Sequence, residues 1–265
     1  MADKDNKKGG LVPAGAKAIV PGKGQPGKGM GILAGGKASF KPPVVVKKGP
    51  SLPAGQRAEL LAAALAPKEK GGKLVYGFDA TASRAPAWDR SKKIQDALFE
   101  AIPGRLEAAL AVHGGSALHT FTAFTGDPSK LRDLAAGIQC QAGGTQLVPM
   151  MERTVETDAS VLVYVGDVFE EYDEDARNAA DKLKLKGCRV IILQDGDDPG
   201  SAHVFREIAK RTGGAVLPFG SGSVSQLRDL LQAVGVLAVG GRKLLESKQK
   251  TLPGATLLLK HLPPE

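Results

Sequence analysis

Three short segments of the sequence carry side-chain oxygens that could bind a metal ion. Asp79-Ala-Thr81-Ala-Ser83 places one carboxylate and two hydroxyls at alternate positions, which point the same way in an extended segment. Gly143-Gly144-Thr145 presents a third hydroxyl after two glycines that permit a tight turn. Gly166-Asp167 adds a second carboxylate. Because oxygen ligands suit a hard cation, these residues predict a site for Mg²⁺ or Mn²⁺.

Two of these segments directly follow apolar runs that are typical of strands buried on both faces, Leu74–Phe78 and Ser160–Val165. Strand-like and helical runs alternate from Lys73 to Val239. Further strands are predicted at 106–112, 117–124, 189–193 and 215–219, and helices at 88–102, 128–137, 147–155, 173–186, 201–212 and 224–239. This alternation predicts an α/β fold, a three-layer doubly wound sheet with helices on both faces. Ligands of such sheets bind beyond the carboxyl ends of the strands. Two of the three segments lie at this position, because they directly follow predicted strands.

The three segments together resemble the metal-ion-dependent adhesion site (MIDAS) of von Willebrand factor A (vWA) domains. The order of the segments, their separations and their positions at strand ends match that family over about residues 70–240. The family usually has Ser at the middle position of the first segment, where this chain has Thr81, which keeps the hydroxyl but adds a methyl group and stiffens χ1. The resemblance is to the intracellular, bacterial-type members, which often serve in multi-protein assemblies.

The resemblance implies a role for each of the five residues. Thr81, Ser83 and Thr145 would ligate the metal directly, and Asp79 and Asp167 would act directly or through water. Two carboxylates neutralise a divalent cation, so one open coordination position could accept an acidic group from a protein partner. The expected function is therefore a metal-dependent protein-interaction module rather than an enzyme.

Plainer interpretations of the same residues stay open. Asp79–Ser83 could be an Asx-type turn, Thr145 an N-cap of the next helix, and Asp167 part of a solvated turn. The acidic loop Asp195–Asp198 is expected to be solvated, with a weak calcium site as the alternative, and the acids at 170–175 either favour a helix N-terminus or form a rim that selects a partner.

Two other functions are alternatives. A metal-dependent phosphate-ester hydrolase could use the same strand-end Asp79, but such chemistry usually needs a second aspartate where this chain has Thr81. A nucleic-acid adaptor could act through the N-terminal tail, since residues 1–50 contain ten lysines, no arginine and only two acids. The tail thus carries a charge of +8 and the remaining 215 residues carry none, because 26 basic residues balance 26 acidic ones.

The predicted organisation has four parts. Residues 1–50, with 11 Gly and 6 Pro, form a disordered basic tail, because such a segment buries too little apolar area to offset its backbone entropy. Residues 51–72 hold a linker and a leading helix at 56–65, residues 73–240 the vWA domain, and residues 241–265 a C-terminal extension. In the extension, 242–250 could continue the preceding helix, and Leu257–Leu259 could be an edge strand or a docking arm.

The remaining composition limits the location of the protein. The two cysteines, Cys140 and Cys188, exclude a disulfide scaffold and a four-cysteine zinc site, and favour the reducing cytoplasm. The N-terminus lacks the apolar stretch of a secretory signal, and no apolar run approaches the ~18 residues of a membrane span. Neither a membrane location nor secretion is expected.

Overall fold

The protein folds around a six-stranded sheet with helices on both faces. The computed structural model describes residues 71–85, 89, 95–101, 104–218 and 224–264. The strands are β1 (Gly72–Asp79), β2 (Leu106–Gly114), β3 (Ala117–Phe121), β4 (Val161–Gly166), β5 (Arg189–Gln194) and β6 (Ala215–Pro218). The helices are α1 (Ala97–Glu100), α2 (Pro128–Ala136), α3 (Leu147–Val155), α4 (Asp173–Leu185), α5 (Pro199–Thr212), α6 (Val224–Ser247) and α7 (Pro253–His261). The tail, the leading helix at 56–65 and about half of the predicted helix at 88–102 lie outside the described residues; within the described half, Ala97–Glu100 is helical.

The strand order is β3-β2-β1-β4-β5-β6. All neighbouring strands pair in parallel except β2 and β3, which form an antiparallel edge with an irregularity in register between Val112 and His113. The chain builds outward from β1 in one direction and then returns to add β4 on its other side. The predicted doubly wound α/β architecture is therefore confirmed, and its topological switch point lies between β1 and β4.

Alternate residues of the central strands enter two separate cores, as expected for strands covered on both faces. Tyr76 and Phe78 of β1 pack with α1, α2, α6 and α7, whereas Val75 packs on the other face with α3, α4 and α5. Asp127 caps α2, with its side chain accepting a hydrogen bond from the Ser129 amide at 2.9 Å.

The C-terminal residues are helical, which agrees with the predicted continuation of the preceding helix but not with an edge strand at Leu257–Leu259. Residues 242–247 do continue α6, although Gly241 interrupts it with a positive φ of 64°. Leu257–Leu259 forms part of α7 and not an edge strand. Leu258 and Leu259 are buried in the first core and Leu257 is exposed, because the buried positions follow helical spacing rather than alternation.

Among the described residues, no helix is long and apolar enough to cross a membrane.

Candidate metal centre

The loop after β1 begins with a carboxylate that is completely buried. Asp79 Oδ1 accepts a hydrogen bond from the Thr81 amide at 2.8 Å, whereas Asp79 Oδ2 has no hydrogen-bond partner among the described residues. A short 3₁₀ helix, Ala82–Arg84, follows and brings the hydroxyls of Thr81 and Ser83 to within 3.3 Å of each other. The bond to Thr81 does have the form of an Asx turn, but it leaves one buried carboxylate oxygen available.

The second predicted segment reaches the same place through a glycine turn. Gly143 has a φ of 149°, and a Cβ there would lie 2.4 Å from the Cα of Gly115, so a side chain cannot be accommodated. The neighbouring Gly144 amide donates to Ser116 Oγ at 2.9 Å, which ties the turn to the β2–β3 connection. This anchoring fixes the position of Thr145.

Thr145 does not cap the helix that follows it. The N-cap of α3 is Gln146, which makes no side-chain capping bond. The buried Thr145 is instead hydrogen-bonded twice to the loop after β4. Its hydroxyl accepts a hydrogen bond from the Glu170 amide at 3.0 Å, and its amide donates to Glu170 Oε2 at 3.1 Å. A hydroxyl that accepts one hydrogen bond keeps a second lone pair for another contact.

Asp167 completes the set at the end of β4. Its Oδ1 accepts from the Val168 amide at 2.9 Å, and its side chain is one-quarter exposed. All five predicted residues line one cleft of about 270 Å³, together with Ala82, Ala142, Gly143, Val168 and Glu170. The cleft lies at the carboxyl ends of β1 and β4, which is the switch point of the sheet.

Burial makes the charged form of Asp79 unfavourable when no cation is present. The pKa of Asp79 is raised from 3.8 to about 6, mainly by desolvation and also by the nearby Asp167, although the hydrogen bonds from Thr81 and the charge of Arg84 act in the opposite direction. Unpartnered carboxylate oxygen at a buried position is a source of instability that a bound cation would relieve.

A buried arginine beside the cleft was not anticipated from the sequence. Arg84 Nη1 lies 2.6 Å from Asp195 Oδ2 and 4.0 Å from Asp167 Oδ2. Residues 196–198 are exposed, as expected for a solvated acidic loop, whereas the Asp195 side chain is only about one-quarter exposed. Asp195 forms an ion pair with Arg84, and Asp198 caps α5 by accepting from the Ser201 amide at 2.7 Å.

A second unanticipated contact lies beneath Asp79. His113 on β2 is completely buried, with its Nε2 3.0 Å from the Tyr164 hydroxyl and its Nδ1 3.9 Å from Asp79 Oδ1. Burial lowers the pKa of His113 to about 4, so the imidazole is neutral at pH 7. The histidine thus places a polar but uncharged group behind the carboxylate.

The acidic residues that follow Asp167 divide into two groups. Asp173, Glu174 and Asp175 occupy the first turn of α4, where the helix dipole favours negative charge. Glu170 and Glu171 instead hold the second segment, since Glu171 accepts from the Val148 amide at 2.8 and 3.0 Å. Glu170 also lines the cleft and makes its rim more negative.

The donor set fits a hard divalent cation. Because Arg84 is held against Asp195, Asp79 and Asp167 retain two negative charges when both are ionised. Nowhere among the described residues do three or more His, Cys, Asp or Glu side chains form a metal-binding group, so a cation in this cleft would depend on the hydroxyls of Thr81, Ser83 and Thr145 as well. Carboxylate and hydroxyl oxygens are ligands that Mg²⁺ accepts and soft metals do not prefer.

Two solved structures show a distant likeness to this chain. No protein-family model matches the sequence, and no curated protein matches it. Among solved structures, the VWA domain of SpRpn10 matches with a TM-score of 0.48 and 10% identity, over 60% of this chain and 94% of that domain. The human COPII-coat protein Sec24c matches with a TM-score of 0.46 and 11% identity, over 62% of this chain and about a third (32%) of Sec24c. The fold is therefore assigned from the strand order, and neither likeness contributes to the assignment.

Proposed function

We propose that this protein is a vWA-like interaction module that binds Mg²⁺ or Mn²⁺ in the 270 Å³ cleft and, through the cation, an acidic group of a protein partner. The observation that carries the proposal is the buried Asp79 Oδ2, which has no hydrogen-bond partner among the described residues and belongs to a cleft lined by five more oxygen-bearing side chains. A bound ion is one explanation for a buried polar atom without a partner, and the surrounding oxygen-bearing side chains favour it here.

Each residue would have a distinct part in holding the cation. Thr81, Ser83 and Thr145 would contribute neutral hydroxyl oxygens, and Asp79 and Asp167 would supply the balancing charge. Their positions are set before any ligand arrives, since the Thr81 amide orients Asp79 and the Val168 amide orients Asp167. Such preorganisation lowers the entropic cost of binding.

The rim of the cleft makes binding of an acidic partner dependent on the cation. Glu170 stands beside Asp79 and Asp167, so an incoming carboxylate would meet three negative side chains in the absence of metal. When bound, the cation supplies a positive coordination position that reverses this repulsion. Partner capture should therefore be lost in EDTA rather than merely weakened.

Titration of the full chain with Mn²⁺, by calorimetry or by the electron paramagnetic resonance of free Mn²⁺, tests the metal directly. We expect one site in the wild type, none in Asp79→Ala, and an unchanged site in Asp133→Ala, which removes an exposed carboxylate on α2. Mn²⁺ binding that survives Asp79→Ala at full strength would contradict the proposal.

The partner is tested on the immobilised full chain. Proteins retained from a cell extract in Mg²⁺ should elute with EDTA from the wild type and from Asp133→Ala, and should be absent from Asp79→Ala. Retention that EDTA does not reverse, and that Asp79→Ala does not reduce, would show that recognition uses another surface.

A further inference from the structure

A basic groove that the proposed metal site does not explain lies at the amino ends of the parallel strands. Its first lobe has a volume of about 390 Å³ and lies where α4 and α5 end and β5 and β6 begin. Five cationic side chains line it: Lys184, Arg189, Lys210, Arg211 and Arg242. No acidic side chain is among its described lining residues.

The second lobe extends the same surface. It has a volume of about 420 Å³, shares Lys210 and Pro263 with the first lobe, and adds Arg206 and His261. The two lobes together form what we call the basic groove. Since residues 51–265 are neutral overall, this concentration of cations is local and does not reflect an excess of charge on the folded part.

Ion pairing within the chain accounts for only part of this charge. Arg211 donates to both carboxylate oxygens of Asp181, at 3.0 and 2.8 Å, and Arg242 donates to Glu246 at 2.8 Å. Lys184 and Lys210 are exposed and have no acidic side chain within 4.0 Å among the described residues. The groove therefore keeps a surplus of positive charge.

Helix dipoles explain two of the cations but not the whole set. Lys184 and Lys210 stand in the last turns of α4 and α5, where a positive side chain is favoured for local reasons. Arg189, however, is the first residue of β5, and Arg242 follows the interruption of α6 at Gly241. Four separate elements thus converge on one groove.

The C-terminal segment forms one wall and fixes an arginine there. Arg242 Nη1 donates to the Pro263 carbonyl at 2.7 Å, and Leu262, Pro263 and Pro264 line the first lobe. With Nε bound to Glu246 and Nη1 bound to Pro263, the Nη2 group of Arg242 is the part of the guanidinium that could donate to a partner's carboxylate. The wall supplies apolar surface beside the charges.

These features favour an acidic peptide over a nucleic acid. No aromatic ring of Phe, Tyr or Trp is among the described lining residues of either lobe, whereas single-stranded nucleic acids are usually bound by stacking on aromatic rings. We propose that the basic groove binds an extended, Asp/Glu-rich segment of a partner protein.

Fluorescence anisotropy with a labelled peptide of eight alternating Asp and Glu residues tests the proposal. The full chain is used in EDTA, so that the metal site cannot contribute and failure of the metal proposal does not affect the outcome. The double variant Lys184→Ala/Lys210→Ala is compared with Lys130→Ala/Lys250→Ala, which removes two exposed lysines that line neither lobe. Both variants keep the basic tail, so its contribution cancels.

We expect the groove variant to bind the peptide about fourfold more weakly than the control variant, from roughly twofold for each of the two exposed charge pairs. Raising the salt concentration should narrow this difference. Equal weakening in the two double variants would overturn the proposal, as would tighter binding of a 20-nucleotide single strand that depends on the same two lysines.

Discussion

Replacing Asp79 by Asn should stabilise the protein without metal and destabilise it with metal. The substitution keeps an oxygen that can accept from the Thr81 amide, and removes a negative charge that is completely buried. In the absence of a cation this charge is a cost to the fold. In its presence the same charge is required to hold the cation.

The size of the effect follows from the raised pKa of Asp79. The pKa rises from 3.8 to about 6, which corresponds to roughly 3 kcal/mol of folding free energy at pH 7. The new amide NH₂ takes the place of Asp79 Oδ2, which has no described partner, and an unpartnered donor costs about 1–2 kcal/mol. We therefore expect the Asn variant to be about 1–2 kcal/mol more stable than the wild type in EDTA.

The sign of the pH dependence gives an internal control. Because the folded pKa is raised, the stability that protonation of Asp79 provides is complete below pH 3.8 and is lost as the pH rises through about 6. The advantage of the Asn variant in EDTA should therefore be present at pH 7 and should shrink at pH 5.

Urea denaturation of both proteins, in EDTA and in Mg²⁺, measures these differences. At a metal concentration 100 times the dissociation constant, the wild type should gain about 2.7 kcal/mol and the variant nothing, so the order of stability reverses. The reasoning is refuted if Asp79→Asn is no more stable than the wild type in EDTA at pH 7, or if Mg²⁺ stabilises both proteins equally.

Three further predictions concern neighbouring residues. Thr81→Ser should bind Mn²⁺ within about twofold of the wild type because it keeps the oxygen, whereas Thr81→Ala should bind more weakly by calorimetry, and equal affinities would remove Thr81 from the site. Arg84→Met should destabilise the fold by about 3 kcal/mol in urea, because it leaves Asp195 without its buried partner, and Arg84→Met/Asp195→Asn should recover most of that loss. Burial raises the pKa of Glu171 from 4.5 to about 6, so the stability that protonated Glu171 provides is lost as the pH rises through that range. The free energy of unfolding of Glu171→Gln, relative to the wild type, should therefore rise by about 1 kcal/mol between pH 4.5 and pH 7. A difference between the two proteins that does not change with pH would contradict this.

Much of the fold could be predicted because the central strands are apolar throughout. A run such as Leu74–Phe78 has no polar face to turn to solvent, and this requires a parallel strand covered on both sides. The C-terminal helix was harder to predict from the sequence, because three consecutive leucines suit a strand as well as a helix. The spacing of Ala255, Leu258, Leu259 and Leu262 did contain the helical signal, since all four of these side chains are buried.

The candidate site was predictable only in its linear motifs. Asp79, Thr81 and Ser83 stand within five residues, and Asp167 directly follows a strand end, so local reasoning was sufficient for them. The ion pair of Arg84 with Asp195 joins residues 111 positions apart, and no local pattern identifies it. The same holds for His113, whose relation to Asp79 depends on the pairing of two strands.

That pairing also explains why the site can be precise without a ligand. Phe78 of β1 is in register with Val165 of β4, so Asp79 and Gly166 are the next residues on adjacent strands, and Asp167 follows at once. A slip of one residue in this register would exchange the two cores, since alternate residues of each strand enter opposite faces. The separation of the two carboxylates is therefore held by the packing of the whole sheet, and the metal proposed here would bind to a site that the core has already placed.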